Sequence, residues 1–443
     1  SRKLNCLAKD SAQHRGLQVT ILQGNRLLQN IKQLVTEVLP KGFCLSVVEV
    51  ITEVITMAMT KEETKTLLAL LEEVPEHRKG NAIKYSLRDV LFLGIFSILC
   101  GAETYTGMST FSELHKKELQ KYMELPHGIP SHDVFGDIFS RVDKEAVGKC
   151  FQIFVDTIVT GENEDFVVAL DGKTVRRSAN GEHKASHIET AYLCDLEIVL
   201  GQVDIEEKSN ELTAIPKLLE MLALTNCTVT IDAMGTHREF AQKILGKGAN
   251  YILPVKENQP KLLDDIKLYA EEDVLPVDKG TLKKEDRYAK TVDKGHGRID
   301  QRECYLFDEV DWLGDDHEWP GLAGVALIVS TRTILNTGEI STEYRYYIYS
   351  HSEMTAERFL MLQRKHWKIE NNLHWSLDCS FHEDDMHVRM GHAAVIINMF
   401  RKLCMQMLKA DTSVKDSLKG KRQRCAWSFD YAMDVVKRWA LGS

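Results

Sequence analysis

A chain of 443 residues that is 44% hydrophobic and 27% charged is a globular protein with room for two or three cores. Its net charge of −9 excludes a generally basic nucleic-acid binder, so any such surface must be a local patch. No apolar run approaches the roughly 18 residues of a membrane span, and ten cysteines without C-x-x-C spacing speak against a structural zinc site.

The amino end shows no basic region followed by an apolar stretch, so no secretory leader is expected and a reduced, cytoplasmic setting is. Residues 1–56 carry no decisive pattern, because VVEVITEVITMAM fits a strand as well as a buried helix. A helical signal begins at Thr60, a capping residue with Glu63 at the capping-box position, and continues through Leu67, Leu68 and Leu71 to Pro75. Ser86 to Leu99, Thr110 to Met123 and Ser131 to Arg141 read as further helices, which makes residues 57–160 an expected helical amino-terminal domain.

The stretch Phe166 to Lys173, FVVALDGK, runs apolar and β-branched residues into Asp171 and then glycine. It reads either as a buried strand that ends on a carboxylate or as an Asp-Gly turn between two strands. A second copy of the arrangement favours the first reading, since CTVTIDAMG runs β-branched residues into Asp232. Between and beyond them lie expected strands at Ile188 to Cys194, Ile198 to Ile205 and Tyr251 to Val255, with helices at Leu212 to Leu224, His237 to Leu245 and Gln259 to Glu272. Three strands, a helix, a strand, a helix and a strand is the order of the α/β ribonuclease H-like fold. Its first and fourth strands lie adjacent and parallel, and each can carry an active-site acid.

Residues 161–272 are thus the first part of this core, and 273–350 read as a β-rich insertion. Residues 351–411 complete the core with a helix from Thr355 to Leu377. Glu370 is the outstanding acid of that helix, set between Ile369 and Leu373, where an unpaired carboxylate is costly and a metal would offset the cost. Trp367 and Trp375 are expected in the core. Residues 412–443 form a basic tail containing Lys419, Lys421, Arg422 and Arg424.

The segments DGKTVRRS, LGQVDIEEKSNELTAIPKLL, TIDAMG, YILPVKENQP, GHGRIDQRE and RKHWKIENNLHWSLDCSFHED together resemble the H-repeat-associated, ISAs-type insertion-sequence transposases, a DDE family. The resemblance runs from about Leu67 to Trp427. It implies a ribonuclease H-like core with a β-rich insertion before the glutamate, and it puts Asp171, Asp232 and Glu370 on the acidic triad. The superfamily's Tyr-Arg-Glu-Lys signature is not intact, because His366 and Leu377 stand at the Arg and Lys spacings from Glu370.

Three carboxylates can hold two divalent ions for in-line displacement at phosphorus, and an all-oxygen donor set favours Mg²⁺ or Mn²⁺. Expected DNA contacts are Lys173, Arg176, Lys256, Asn258, Arg298, His374, Lys421 and Arg422, with the helical region, above all SHDVFGDIF, reading sequence. The expected activity is cleavage of double-stranded DNA at inverted-repeat ends and joining to target DNA, by a homodimer or higher homo-oligomer associated with the bacterial nucleoid. A metal-dependent nuclease and a domesticated, non-catalytic DNA-binding protein are the alternatives.

Overall fold

The computed structural model describes residues 67–440 apart from 81–82, 159–165, 180–183, 206–210 and 386, so the readings made for 1–66 lie outside the described residues. Residues 67–72 are helical. Helix α1, Leu87–Leu99, starts where Ser86 accepts a hydrogen bond from the Asp89 amide and ends before Gly101 at φ 99°. It is buried on every side, as an apolar sequence without a polar stripe requires. The expected helix from Thr110 instead begins earlier as α2, Tyr105–Leu114, capped by Thr104, and is followed by the short α3, Lys116–Leu119. Helices α4, His132–Arg141, and α5, Lys144–Ile158, complete the region.

Strands β1 (Val167–Thr174), β2 (His187–Leu193) and β3 (Ile198–Ile205) form an antiparallel meander. Helix α6 (Glu211–Met221) leads to β4 (Thr228–Ile231), and α7 (Arg238–Gly246) leads to β5 (Asn250–Val255). β4 is parallel to both β1 and β5, giving the order 3-2-1-4-5 of the ribonuclease H-like fold. The central position of β1 explains its unbroken apolar run. Val167 and Ala169 face one hydrophobic core while Val168 and Leu170 face the other, so both sides of the strand are covered.

After α8 (Pro260–Tyr269) and α9 (Lys279–Lys284) comes the insertion: β6 (Tyr288–Gly295), β7 (Arg298–Phe307), α10 (Asp311–His317), β8 (Gly324–Ile334) and β9 (Ile340–Tyr349). Its strands continue the central sheet, since β9 pairs antiparallel with β5, and the described strands form one nine-stranded sheet in the order 3-2-1-4-5-9-8-7-6. The expected helix from Thr355 is broken in register: α11 (Ala356–His366) passes into a π-helical turn, Ile369–His374, and then α12 (Trp375–Phe381).

Two expectations about the ends of the chain are corrected by packing. The helices of 87–158 do not have a core of their own, because one hydrophobic core runs from Leu67 through α1, one face of the sheet and α13 (Ala393–Ala410) to Ala440. Helix α4 belongs to it. Phe139 meets the rings of Tyr105 and Phe400, and a Cβ on Gly94 would lie 2.5 Å from the Phe139 ring, so α1 and α4 touch nearly backbone to side chain.

The basic tail, helices α14 (Leu418–Trp427) and α15 (Phe429–Ala440), is likewise folded in. Arg422 is buried rather than presented to DNA: it donates to the carbonyls of Ile98 and Ser380, stands 3.5 Å from Glu103 and covers the Phe381 ring. Lys421 donates to the carbonyls of Leu408 and Asp411, which the end of α13 leaves unsatisfied. Both charges serve the fold because each donates to backbone carbonyls at the ends of neighbouring helices. Arg422→Ala is therefore expected to lower unfolding stability by about 2–4 kcal/mol, measured by urea denaturation. The salt dependence of DNA binding should be unchanged.

Candidate functional site

The last paired residues of the parallel β1–β4 ladder are Leu170 and Ile231. The residue that follows each of them in the chain is an aspartate, so register alone sets Asp171 beside Asp232. Asp171 is not the end of β1, which runs three residues further against β2, but it is where the parallel neighbour stops. Nor is Asp-Gly a turn here. Gly172 is strand, and a Cβ on it would lie 2.4 Å from His187 Nε2 and 2.9 Å from Glu189 Oε2, so a side chain there would have to displace the ends of these β2 side chains. Asp232 caps the short 3₁₀ turn Ala233–Gly235, accepting from the Gly235 amide at 3.1 Å.

These two acids and Glu370 line one cleft of ≈ 510 Å³ at the carboxyl ends of β1, β4 and β5. Glu370 reaches it from the π-helical turn and is exposed. The expected desolvation of Glu370 is corrected, because Ile369 and Leu373 point into the core and the carboxylate points away from them. The two tryptophans are corrected as well: Trp367 is 37% exposed on the cleft rim under the Arg345 guanidinium, 5.2 Å from its ring, and Trp375 is 61% exposed.

Two histidines hold the acids' surroundings. His374 Nδ1 stands 3.3 Å from Asp171 Oδ2, while burial, then the Lys402 and Lys173 ammonium groups, push its ring down to about 3. It is neutral at neutral pH, and its Nε2 is buried without a protein partner among the described residues. His366 lines the cleft from α11, with Nδ1 2.9 Å from Thr230 Oγ1, and burial pushes it down to about 4 despite the nearby Asp232.

Beneath Asp171 lies a buried charge network that sequence patterns do not reveal. Lys173 bonds Asp378 and lies 3.0 Å from Glu383. Burial opposes its charge, but Glu383 and Asp378 outweigh burial and hold its pKa above the ordinary lysine value. Lys173 is thus engaged inside the protein, which corrects its reading as a DNA contact. Glu383 is fully buried, accepts from Asn398 at 2.6 Å, and is held below the usual carboxylate range by Lys173, Arg401 and Lys402 against the effect of burial. Lys402 is pushed down to about 7 by burial and donates to Thr190 and Gln202, Thr190 being the β2 residue opposite Asp171. The one sequence signal for Lys402 is an Arg-Lys pair inside the otherwise uncharged run AAVIINMFRKLCMQML.

Of the other expected DNA contacts, Asn258 donates to the Ala233 carbonyl at 2.6 Å, so its amide braces the Asp232 turn instead. Lys256 is exposed and lines the cleft. Arg176 is exposed, 3.4 Å from Asp384. Arg298 lies in a second groove of ≈ 490 Å³, which shares Arg345 and Trp367 with the cleft and adds Arg302, Arg332 and Arg364 from scattered parts of the chain.

Among the described residues, no three His, Cys, Asp or Glu side chains already stand gathered closely enough to hold a metal ion. The donor set around the cleft nonetheless fits a hard cation. It consists of carboxylates on three separate elements opening into one polar cleft, with no thiol among its lining residues.

The chain resembles known proteins over most of its length. The family described as "Transposase DDE domain" matches residues 163–407, and the family "DDE_Tnp_1-associated" matches residues 68–155. The chain is 34% identical over 379 residues to the "H repeat-associated putative transposase YhhI" of Escherichia coli (strain K12), covering 84% of this chain and 98% of that one. It is also 30% identical over 79 residues to the "Inactive transposase YbfQ" of the same strain, covering 18% of this chain and 94% of that one. The solved structure of a piggyBac transposase synaptic complex with hairpin DNA aligns at TM-score 0.39 and 11% identity over 86% of this chain and 78% of that one.

The depressed histidines make a pH prediction. In the unfolded chain both rings take up a proton near 6.5, whereas the folded rings resist it down to about 4 and about 3. Between those values the unfolded state binds more protons, so stability is full above 6.5 and is lost as pH falls. The slope between pH 6 and 4.5 should reach about 1.4 kcal/mol per pH unit for each histidine. Urea unfolding across that range should show it, with a flatter slope for His366→Asn.

Proposed function

The chain belongs to the DDE transposase family, and on that premise we propose that it cleaves DNA at the ends of an insertion sequence and joins those ends to target DNA. The observation that carries the reading is the pairing of Leu170 with Ile231, which leaves Asp171 and Asp232 side by side on a cleft that Glu370 also lines. Two like charges so placed repel one another unless a cation comes between them. Asp171, Asp232 and Glu370 would hold two Mg²⁺ or Mn²⁺ ions. Such ions, when bound, supply activation of the attacking oxygen and neutralisation of the leaving one.

The chain's own groups do the rest. His374 packs against Asp171 and, being neutral, leaves the carboxylate its full charge. Asn258 and Gln259 fasten the turn that follows Asp232 through the carbonyls of Ala233 and Thr236. Lys256 is the exposed cation of the cleft, and the arginine groove that opens beside Trp367 offers a path for the phosphate backbone. Sequence reading is assigned to the helical region, where Ser131, His132 and Asp133 at the start of α4 are exposed. We assign the active form to a homodimer or higher oligomer on DNA in the bacterial cytoplasm, associated with the nucleoid. Among the described residues no helix is long and apolar enough to cross a membrane.

Two measurements test the reading. Asp171→Asn, Asp232→Asn and Glu370→Gln should each slow metal-dependent cleavage of an inverted-repeat end by at least about 10³-fold, with DNA affinity little changed. Robust cleavage by Asp232→Asn rejects the assignment, and cleavage without any joined product favours a nuclease. Separately, the double change Arg332→Ala, Arg364→Ala should reduce the slope of log affinity against log salt by about 1.8, some 0.9 for each phosphate no longer neutralised.

A further inference from the structure

The turn between β2 and β3 touches the helix that carries Glu370 at three places. Lys365 Nζ lies 2.6 Å from Asp195 Oδ1, Lys368 donates to the Cys194 carbonyl at 3.1 Å, and Asn372 donates to Glu197 Oε1 at 2.7 Å. Positions 365, 368 and 372 are three and four residues apart, so they share one face of the helix, and Glu370 lies roughly opposite them. The same turn grips the start of β1. Asp195 Oδ2 accepts from the Val167 amide at 2.8 Å, and the Cys194 amide donates to the Val167 carbonyl at 2.8 Å. Glu197 sits at φ 58°, a left-handed conformation unusual for a residue with a side chain, and its second oxygen is held by Lys409 of α13 at 2.6 Å.

We propose that this turn is a clasp that sets the register of the acid-bearing helix against the acid-bearing strand, with Glu197 as the positioning residue. The local reason is the π-helical turn Ile369–His374, which carries an extra residue per turn and so rotates everything beyond it. A π turn is less stable than α-helix and relaxes unless its surroundings hold it. The Glu197–Asn372 bond falls inside that turn, two residues from Glu370, while Lys365 and Lys368 fix the helix just before it. Strand β1, which bears Asp171, and the helix, which bears Glu370, are both bonded to Asp195 and its neighbours. A shift of either relative to the other must therefore break the clasp.

The inference rests on the proposed role of the three acids, and its test separates the two. Using the full chain, an inverted-repeat oligonucleotide and Mn²⁺, Glu197→Ala should lower the cleavage rate at saturating DNA by roughly 10- to 100-fold, the cost typical of displaced ligands and supporting groups. It should raise the Mn²⁺ concentration needed for half activity and leave DNA affinity within about twofold. Glu197→Gln keeps the acceptor for Asn372 and should recover most of the rate. Asn372→Ala, which leaves the Lys409 pair in place, should reproduce the loss, and the double variant should be no worse than either single one. If Glu197→Ala proves too unstable to assay, Asn372→Ala alone carries the test. Wild-type rates for Asn372→Ala beside an inactive Asp171→Asn overturn the clasp and leave the acid assignment standing. Equal losses of DNA affinity and rate, or an additive double variant, also overturn it. Activity in Asp171→Asn itself rejects the acid assignment instead.

Discussion

Everything in this fold answers to one constraint: two carboxylates are set side by side by a parallel strand pair whose last paired residues are Leu170 and Ile231. Like charges held together in a partly dry cleft are mutually destabilising, and a protein that keeps them must surround them with groups that tolerate the field. Neutral histidines do so directly, at His374 and His366. Thr230 and Thr228, which break the apolar run of β4, bond His366 and His351. The face of β4 that would ordinarily be hydrophobic is thus given over to polar partners of the site.

Beneath the acids the protein buries charge freely. Glu383, Lys402 and Arg401 all lie almost wholly out of water, and each is tolerable only because the others are present. Glu383 is the common anion: Lys173 and Asn398 bond it, and its charge works against the loss of the Lys402 proton. A network of this kind is a poor source of stability compared with apolar packing, yet it fixes geometry, because no member can move without leaving another unpaired.

What could be read from the sequence and what could not divide along the same physical line. Strands β1 and β4 were legible because β-branched runs close on an acid, and α1 because a serine cap precedes a solid apolar stretch. The pairing of β9 with β5 was not, since nothing local says which edge an inserted meander will join. Glu370 stands out as an isolated acid among apolar neighbours, yet it is exposed, because helical geometry turns those neighbours to the other side. Arg422 and Lys421 looked like a solvated basic tail because the carbonyls they meet belong to α1, α12 and the end of α13. The same holds for Lys173 and Asn258: short-range context shows a charge or an amide, and only tertiary structure supplies its partner. The π turn leaves no periodic trace at all, being one residue in a long helical pattern.

The partners in this site are far apart along the chain, and synthesis meets them in order. Lys173 and Asp378 are separated by 205 residues, and Thr190 and Lys402 by 212. A chain leaving the ribosome therefore exposes both aspartates and the whole central meander long before the helix with Glu370, and before α13 arrives to cover the sheet with Lys402. Until then α5 and α6 pack on β3, but α13 is missing from the sheet and the buried half of the charge network has no counterpart. A nascent fragment that ends before α13 therefore lacks Lys402, the partner of Thr190 and Gln202. A message cut short before α11 yields a chain with Asp171 and Asp232 but without Glu370, and one cut between Glu370 and α13 yields all three without Lys402 beneath them.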